Sequence, residues 1–249
     1  MINIQNISKT FLPGSANAVS ALQHINLIIA GGEFLILTGS NGSGKSTLLN
    51  AIAGSCAVDE GKIFFEKTDV TALKDYQRSK FISRIFQNPL AGTAPNLSII
   101  ENFRIAALRT QSKKLRIGIT GKFKNEVAEK VSILKMNLEN KLDQKMGTLS
   151  GGQRQALTLI MAIMAETKII LLDEPAAALD PRSSALLMQN AKQVISNFSL
   201  TAIMVTHNLK DAHQYGNRII QMSEGQIIKD LNSQQKSNLT LTDLYSWFE

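Results

Sequence analysis

Cysteine occurs once in 249 residues, at Cys56, so no disulfide can form within the chain and a reducing compartment is the expected setting. Long apolar runs are missing too. INLIIAGGEFLILTG is broken by Gly31, Gly32 and Glu33, and the run after Gln155 stops at Glu166, both short of the roughly 18 to 20 residues of a membrane-spanning helix. The opening MINIQNISKTF carries one lysine and no apolar stretch with a cleavage site, so no secretion leader is expected. Aromatic residues are scarce at 6%, and Phe123 is the only one between Arg109 and Lys124, where basic residues concentrate. That excludes the aromatic platform expected of a single-strand nucleic-acid binder. Acidic residues do not balance the basic ones: the formal charge is +7, which favours anionic company such as nucleotide phosphates, nucleic acid or a membrane surface. For the Arg109 to Lys124 segment a solvated basic loop is the better reading.

What is present is ordinary for a globular chain, with 44% apolar and 19% charged residues. The length allows one large α/β domain or two small ones. Three short apolar runs, FLILTG (Phe34 to Gly39), IILLDE (Ile169 to Glu174) and AIMVTH (Ala202 to His207), lack alternation and end in polar residues, the pattern of buried parallel strands. The N-terminal INIQNISKTF and LQHINLIIA alternate, as antiparallel strands beside that sheet would. Between the first two runs helix signals dominate. Ser98 with Glu101 makes a capping box, and Phe123 to Met136 is an amphipathic segment. Asp180 and Pro181 start a further helix, and Thr240 to Phe248 reads as a short terminal one with Leu241, Leu244 and Trp247 on one side. The expectation is an α/β chain: a mostly parallel sheet with helices over about 1–87 and 159–249, an antiparallel N-terminal part, and an inserted helical subdomain over about 88–158.

GSNGSGKST, from Gly39 to Thr47, has the Gly, four residues, Gly, Lys, Ser/Thr spacing of a phosphate-binding loop, directly after a strand and directly before a helix. Glycines 39, 42 and 44 let the loop, with Ser40, Asn41 and Ser43, turn its N–H groups inward as an anion nest at a helix N-terminus. Lys45 brings a full charge to the β and γ phosphates, Ser46 offers a hydroxyl to Mg²⁺, and Thr47 adds a hydroxyl to the α or β phosphate. Asp173 and Glu174 close the second apolar run, where open α/β sheets bind ligands. Asp173 is expected to hold Mg²⁺ through water, and Glu174 to polarise a water for in-line attack on the γ-phosphate. His207, at the end of the third run, is either a γ-phosphate sensor or a structural histidine. Gln87, after ISRIF, either reaches the metal or water or is a turn residue.

LSGGQRQ, from Leu149 to Gln155, poses a question. Ser150 and Gln153 fit a capping box, yet Gly151 and Gly152 then occupy the first helical turn, at about 1 kcal/mol each relative to alanine. Something must approach that backbone closely.

Taken in order, GSNGSGKST, Gln87 in IFQNP, LSGGQ, IILLDE, ALD at Ala178 to Asp180 and His207 in VTHN resemble the Walker A, Q-loop, signature, Walker B, D-loop and H-loop of the ATP-binding cassette ATPases, over essentially the whole chain. The resemblance implies an ATPase whose cofactors are ATP and Mg²⁺, in which Ser150, Gly151, Gly152 and Gln153 of one chain close over ATP held by a second cassette. Bare N–H groups at a helix N-terminus suit contact with a γ-phosphate. Phe11 stands where the family places an adenine-stacking aromatic; a buried strand phenylalanine is the competing reading. Ala176 and Ala177 replace hydroxyl residues common beside the D-loop, and Asp180 also suits a plain N-cap. The implied setting is peripheral, on the cytoplasmic face of the inner membrane, with an integral permease, an extracytoplasmic substrate-binding protein and import of amino acids or related small molecules. An exporter or force-transmitting system is the rival. Chromosome-maintenance and DNA-repair relatives fit less well, because neither heptads nor cysteine clusters separate the Walker A loop from LSGGQ, and translation-associated relatives usually carry two cassettes in one chain.

Overall fold

Alternation at the N-terminus and its absence elsewhere sort the strands into two kinds in the computed structural model, which describes residues 1–110 and 117–248. In chain order the first elements are β1 (Ile2–Phe11), β2 (Val19–Ile29), β3 (Phe34–Gly39), α1 (Lys45–Ala53), β4 (Glu60–Phe65), β5 (Thr68–Asp69) and α2 (Asp75–Arg78). Then come β6 (Ile82–Ile85), α3 (Ile99–Ala107), α4 (Gly121–Ser132), a short 3₁₀ turn (Met146–Thr148), α5 (Gly151–Ala162), β7 (Ile169–Asp173) and α6 (Pro181–Asn197). The chain continues through β8 (Thr201–Val205), α7 (Leu209–Gln214), β9 (Arg218–Ser223), β10 (Gln226–Leu231), α8 (Ser233–Ser237) and α9 (Leu241–Tyr245). No helix among the described residues is long and apolar enough to cross a membrane. Of the expected basic loop, residues 111–116 lie outside the described residues. Arg109 donates to Ser83 Oγ and the Ala162 carbonyl, and Lys122 and Lys124 belong to the first turn of α4 rather than to a loop.

Contacts divide the chain into two units, the first being Met1–Ser79, Leu171–Glu174 and Ser199–Glu249, the second Lys80–Ile170 and Pro175–Phe198. In the first unit, β2, β1, β4 and β5 form an antiparallel sheet in that order. Ile2, Ile4 and Ile7 of β1 are buried, and the step from Ile4 to Ile7 spans a bulge at Asn6, whose φ is 50°. The other sheet runs β10, β9, β3, β8 and the last residues of β7. β3 lies parallel to both β8, in the register Phe34↔Ala202, and β9, in the register Ile36↔Ile219. Every residue of β3 and β8 is buried, which is why neither alternates.

Two buried cations, neither anticipated from the sequence, hold helix ends in this unit. Arg78 donates from Nη1 to the carbonyls of Ala51 and Ile52 at 2.7 and 2.8 Å, from Nη2 to Thr71 and from Nε to Leu73. It therefore satisfies the C-terminal carbonyls of α1, and burial lowers its pKa to about 10. Lys236 does the same for the chain after α7, donating to the carbonyls of Tyr215 and Gly216, and burial brings its pKa down to about 8. The terminal helix is shorter than expected. Within α9 only Leu244 is fully buried, and Trp247 lies beyond the helix with Lys229 Nζ 4.4 Å from its ring centre.

In the second unit, α3 begins with the expected capping box, Ser98 accepting from Glu101 N–H and Glu101 from Ser98 N–H. Phe123, Val127 and Val131 line the buried face of α4. That helix stops at Ser132, short of Met136, because the chain turns left-handed at Lys135 and Asn137, with φ of 53° and 54°. α5 ends at Ala162, whose carbonyl accepts from Ser83 Oγ, Thr167 Oγ1 and Arg109 Nη2. Asp180 caps α6 by accepting from the N–H groups of Arg182 and Ser183, with Pro181 in the first turn.

Candidate nucleotide-binding site

The phosphate-loop residues and both strand-end carboxylates fall within the first unit. β3 delivers the chain to Gly39, where a Cβ would sit 2.2 Å from the Met222 carbonyl oxygen, and the loop closes at Gly44, where a Cβ would meet the Ala21 oxygen at 2.4 Å. With φ of 147° and 99° these positions accept glycine alone. Gly44 is the N-cap of α1, so no side chain caps that helix, and no acidic residue lies in its first turn. The positive end of its dipole and its first N–H groups are left to a ligand.

Lys45 is 6% exposed, and its ammonium donates to the carbonyls of Gly39 and Ser40 at 2.8 and 2.7 Å and to Ser43 Oγ at 3.3 Å. Burial lowers its pKa, while the nearby charge of Glu174 acts to raise it. The loop is thus held around the lysine by its own carbonyls. Ser40, Asn41, Gly42 and Ser46 are exposed and Thr47 is half-buried.

β7 ends at Asp173, one residue earlier than the apolar run suggested, because Glu174 turns left-handed at φ 46°. Its N–H still donates to the Val205 carbonyl at 3.1 Å, which anchors the carboxylate at the strand ends. β8 stops at Val205, so His207 stands two residues beyond the strand, not at its last position. Thr206 Oγ1 accepts from Asn208 N–H, and Asn208 then caps α7. His207 is largely exposed, and its Nδ1 lies 3.0 Å from Glu174 Oε2. Lys45, Glu174 and His207 are thereby brought together, a pairing that the separated motifs did not disclose.

Among the described residues no group of three or more His, Cys, Asp or Glu could by itself hold a metal. The exposed Ser46 hydroxyl and the half-buried Asp173 carboxylate are hard oxygen donors, suited to an ion such as Mg²⁺ that keeps waters and takes further oxygens from phosphates. Phe11, at the end of β1, is 43% exposed. The buried-strand reading of Phe11 is therefore wrong: the position lies in a run of exposed residues that continues to Ser20.

The second unit carries Gln87, which is exposed, and the LSGGQ turn. Ser150 accepts from Gln153 N–H at 3.2 Å and Gln153 returns the bond to Ser150 N–H at 3.1 Å, the expected capping box. Part of the glycine question is answered within the unit. A Cβ at Gly152 would lie 2.9 Å from Ser183 Cβ on α6, and one at Gly151 would lie 3.3 Å from Leu179 Cδ2. Gly152 thus admits the N-terminus of α6, a packing reason that LSGGQ alone does not suggest. The cap does not reach the N–H groups of Gly151 and Gly152, which have no intrahelical partner. Sequence reading also missed Gln155, which is fully buried one turn further along α5.

Comparison with known proteins places this geometry. The sequence pattern of the family described as ABC transporter matches residues 22–177. The chain is 37% identical over 249 residues to a tyrosine transport ATP-binding protein of Clostridioides difficile, covering 100% of this chain and 99% of that protein. It is 32% identical to a phosphonates import ATP-binding protein of Lactococcus lactis subsp. cremoris, over 98% of each chain. Among solved structures it resembles a dimeric ATP-binding cassette in a post-hydrolysis state with ADP and phosphate, at a TM-score of 0.78 and 28% identity, covering 94% of this chain and 99% of that one. A phosphate loop around a buried lysine, a carboxylate paired with a histidine at the strand ends and likeness along almost the full chain have one explanation: the chain belongs to the ABC transporter family, as an ATP-binding cassette with ATPase activity.

Proposed function

We propose that this cassette powers a separate integral membrane permease, binding ATP in the Gly39–Thr47 loop, and that the system imports amino acids or related small molecules. The observation that carries the reading is the Lys45 ammonium held inside a loop whose helix has no cap of its own, in the same unit as the Glu174–His207 pair. Lys45 shifts its donors from the Gly39 and Ser40 carbonyls to the β and γ phosphates, while the N–H groups of the loop and of Ser46 and Thr47 bind phosphate oxygens. Phe11, being exposed, is available to stack on adenine. Ser46 and Asp173, with Gln87 by the family resemblance, are the residues that would hold Mg²⁺, whose chemistry there is to neutralise phosphate charge. Glu174 accepts the proton of the attacking water. His207 holds the Glu174 carboxylate through Nδ1 and meets the γ-phosphate.

Ser150, Gly151, Gly152 and Gln153 are assigned to the ATP of a second copy, so the working state is a homodimer with two nucleotides. The amino-acid assignment is supported by the likeness to a protein named for tyrosine transport, and the import direction by the phosphonates relative. The implied location is peripheral, at the cytoplasmic face of the membrane, with an extracytoplasmic binding protein as third partner.

Lys45→Ala is expected to weaken ATP binding at least a hundredfold by calorimetry, and equal binding would remove the loop from its role. For substrate, cells lacking the protein are expected to lose uptake of labelled tyrosine or another amino acid. Unchanged uptake, together with accumulation of a normally extruded compound, would favour an exporter.

A further inference from the structure

The N-terminal half of α5 contains a polar side chain that is neither part of LSGGQ nor explained by core packing. Gln155 is 0% exposed. Its Nε2 donates to the Phe86 carbonyl at 2.6 Å and to the Pro175 carbonyl at 3.1 Å. Two acceptors fix the amide orientation, since the reverse placement would set its oxygen against both carbonyls. The Oε1 atom is then buried with no hydrogen-bond partner. An apolar side chain of similar size would fill the same space but leave the Phe86 and Pro175 carbonyls without this donor. Tertiary packing alone therefore does not account for glutamine here.

The two carbonyls belong to particular peptide planes. Phe86 C=O shares its peptide with the N–H of Gln87, and Pro175 C=O shares its peptide with the N–H of Ala176, which opens the segment running to Asp180. Neither residue lies in a helix or strand. Phe86, Gln87, Gln155 and Pro175 to Asp180 all belong to the second unit. One amide, carried a single turn beyond the Ser150–Gln153 cap, thus ties the starts of two irregular loops to the helix that begins with LSGGQ. We propose that Gln155 is a positioning residue for the ATPase reaction, a node that sets the Gln87 loop and the Pro175–Asp180 loop together relative to the start of α5. A shift of the LSGGQ turn is passed through Nε2 to both loops at once, so that the catalytic arrangement forms only when α5 is seated. The proposal rests on the reading of Gln87 as a residue that would hold the metal and on the resemblance of Ala178 to Asp180 to the family's D-loop.

The test uses the full chain with Gln155→Met, which keeps length and volume but removes the donor, and Gln155→Glu, which keeps shape and puts acceptors against both carbonyls. Hydrogen exchange of the amides of Gln87 and Ala176 is read beside ATP affinity and steady-state turnover. The expected result for Gln155→Met is exchange at least tenfold faster at both amides, ATP affinity within threefold of the parent and turnover lowered at least tenfold, a loss in kcat that leaves KM nearly unchanged. Gln155→Glu is expected to lose at least as much. Unchanged exchange at either amide overturns the node whatever the turnover, and so does a fall in turnover that only tracks the fraction of unfolded protein. Faster exchange at both amides with parental turnover leaves the node standing and instead refutes the reading of the two loops as catalytic.

Discussion

Two of the glycine-bearing helix starts, at α1 and at α5, follow opposite designs. At α1 the glycines are imposed by backbone: at Gly39 and Gly44 a side chain would strike the carbonyls of Met222 and Ala21, and the helix is left without a cap. At α5 the cap is complete, and what a side chain would strike is other side chains, those of Ser183 and Leu179. An uncapped helix end surrounded by rigid main chain is preorganised for an anion, because its N–H groups have no internal partner and its walls cannot yield. A capped end packed on yielding side chains is stable by itself and keeps only the first two N–H groups for an outside contact. The same residue type at the start of a helix thus serves ligand capture in one place and close packing together with a reserved contact in the other.

That contrast can be broken at either end, and the largest effect belongs to α1. Gly44→Ala is expected to cost about 3 kcal/mol or more in unfolding free energy and to abolish measurable ATP binding, since both the 99° φ and the Ala21 contact oppose a Cβ. A variant that melts and binds like the parent would show that the loop is pliable. Glu174→Gln is the next in size. It should lower turnover by about 10² to 10³ while ATP affinity stays within threefold, and full turnover would displace Glu174 from its proposed role. Gly152→Ala is expected to cost about 2 kcal/mol by overpacking against Ser183. Adding Ser183→Gly opens that space and should recover the loss to within about 1 kcal/mol, the usual cost of a glycine inside a helix. If ATP-driven dimerisation stays lost in the double variant, the glycine serves the nucleotide as well as α6; if dimerisation returns, packing was its whole purpose. The smallest effect is expected for Ser150→Ala, about 1 kcal/mol from the lost cap, read from the denaturation midpoint.

Local rules made much of this molecule legible in advance. FLILTG and the other apolar runs announce buried parallel strands because both faces of such a sheet are covered, and Ser98–Glu101, Ser150–Gln153 and Asp180–Pro181 mark helix starts because capping is settled within four residues. Boundaries were less legible. α4 stops before Met136 and β8 before His207 for reasons set by φ at Lys135 and Asn137 and by the Thr206–Asn208 turn. The burial expected as one option for Phe11 fails because a β-strand pattern does not say where the neighbouring sheet ends. Among the site residues, motif spacing named Lys45, Glu174 and His207 but could not show that the lysine is held by Gly39 and Ser40 or that the histidine meets the glutamate at 3.0 Å.

By itself the sequence settled residue chemistry at fixed local spacing: a phosphate loop between strand and helix, helix caps, strand ends bearing carboxylates, and through them the family. Such features depend on contacts a few residues apart, where covalent geometry leaves little choice. Only the tertiary structure decided which distant groups meet. Ser183 beside Gly152, Arg78 on the last carbonyls of α1, and Gln155 between Phe86 and Pro175 join residues far apart in the chain. Those partners are selected by how the whole backbone packs, and no short stretch of residues carries that information.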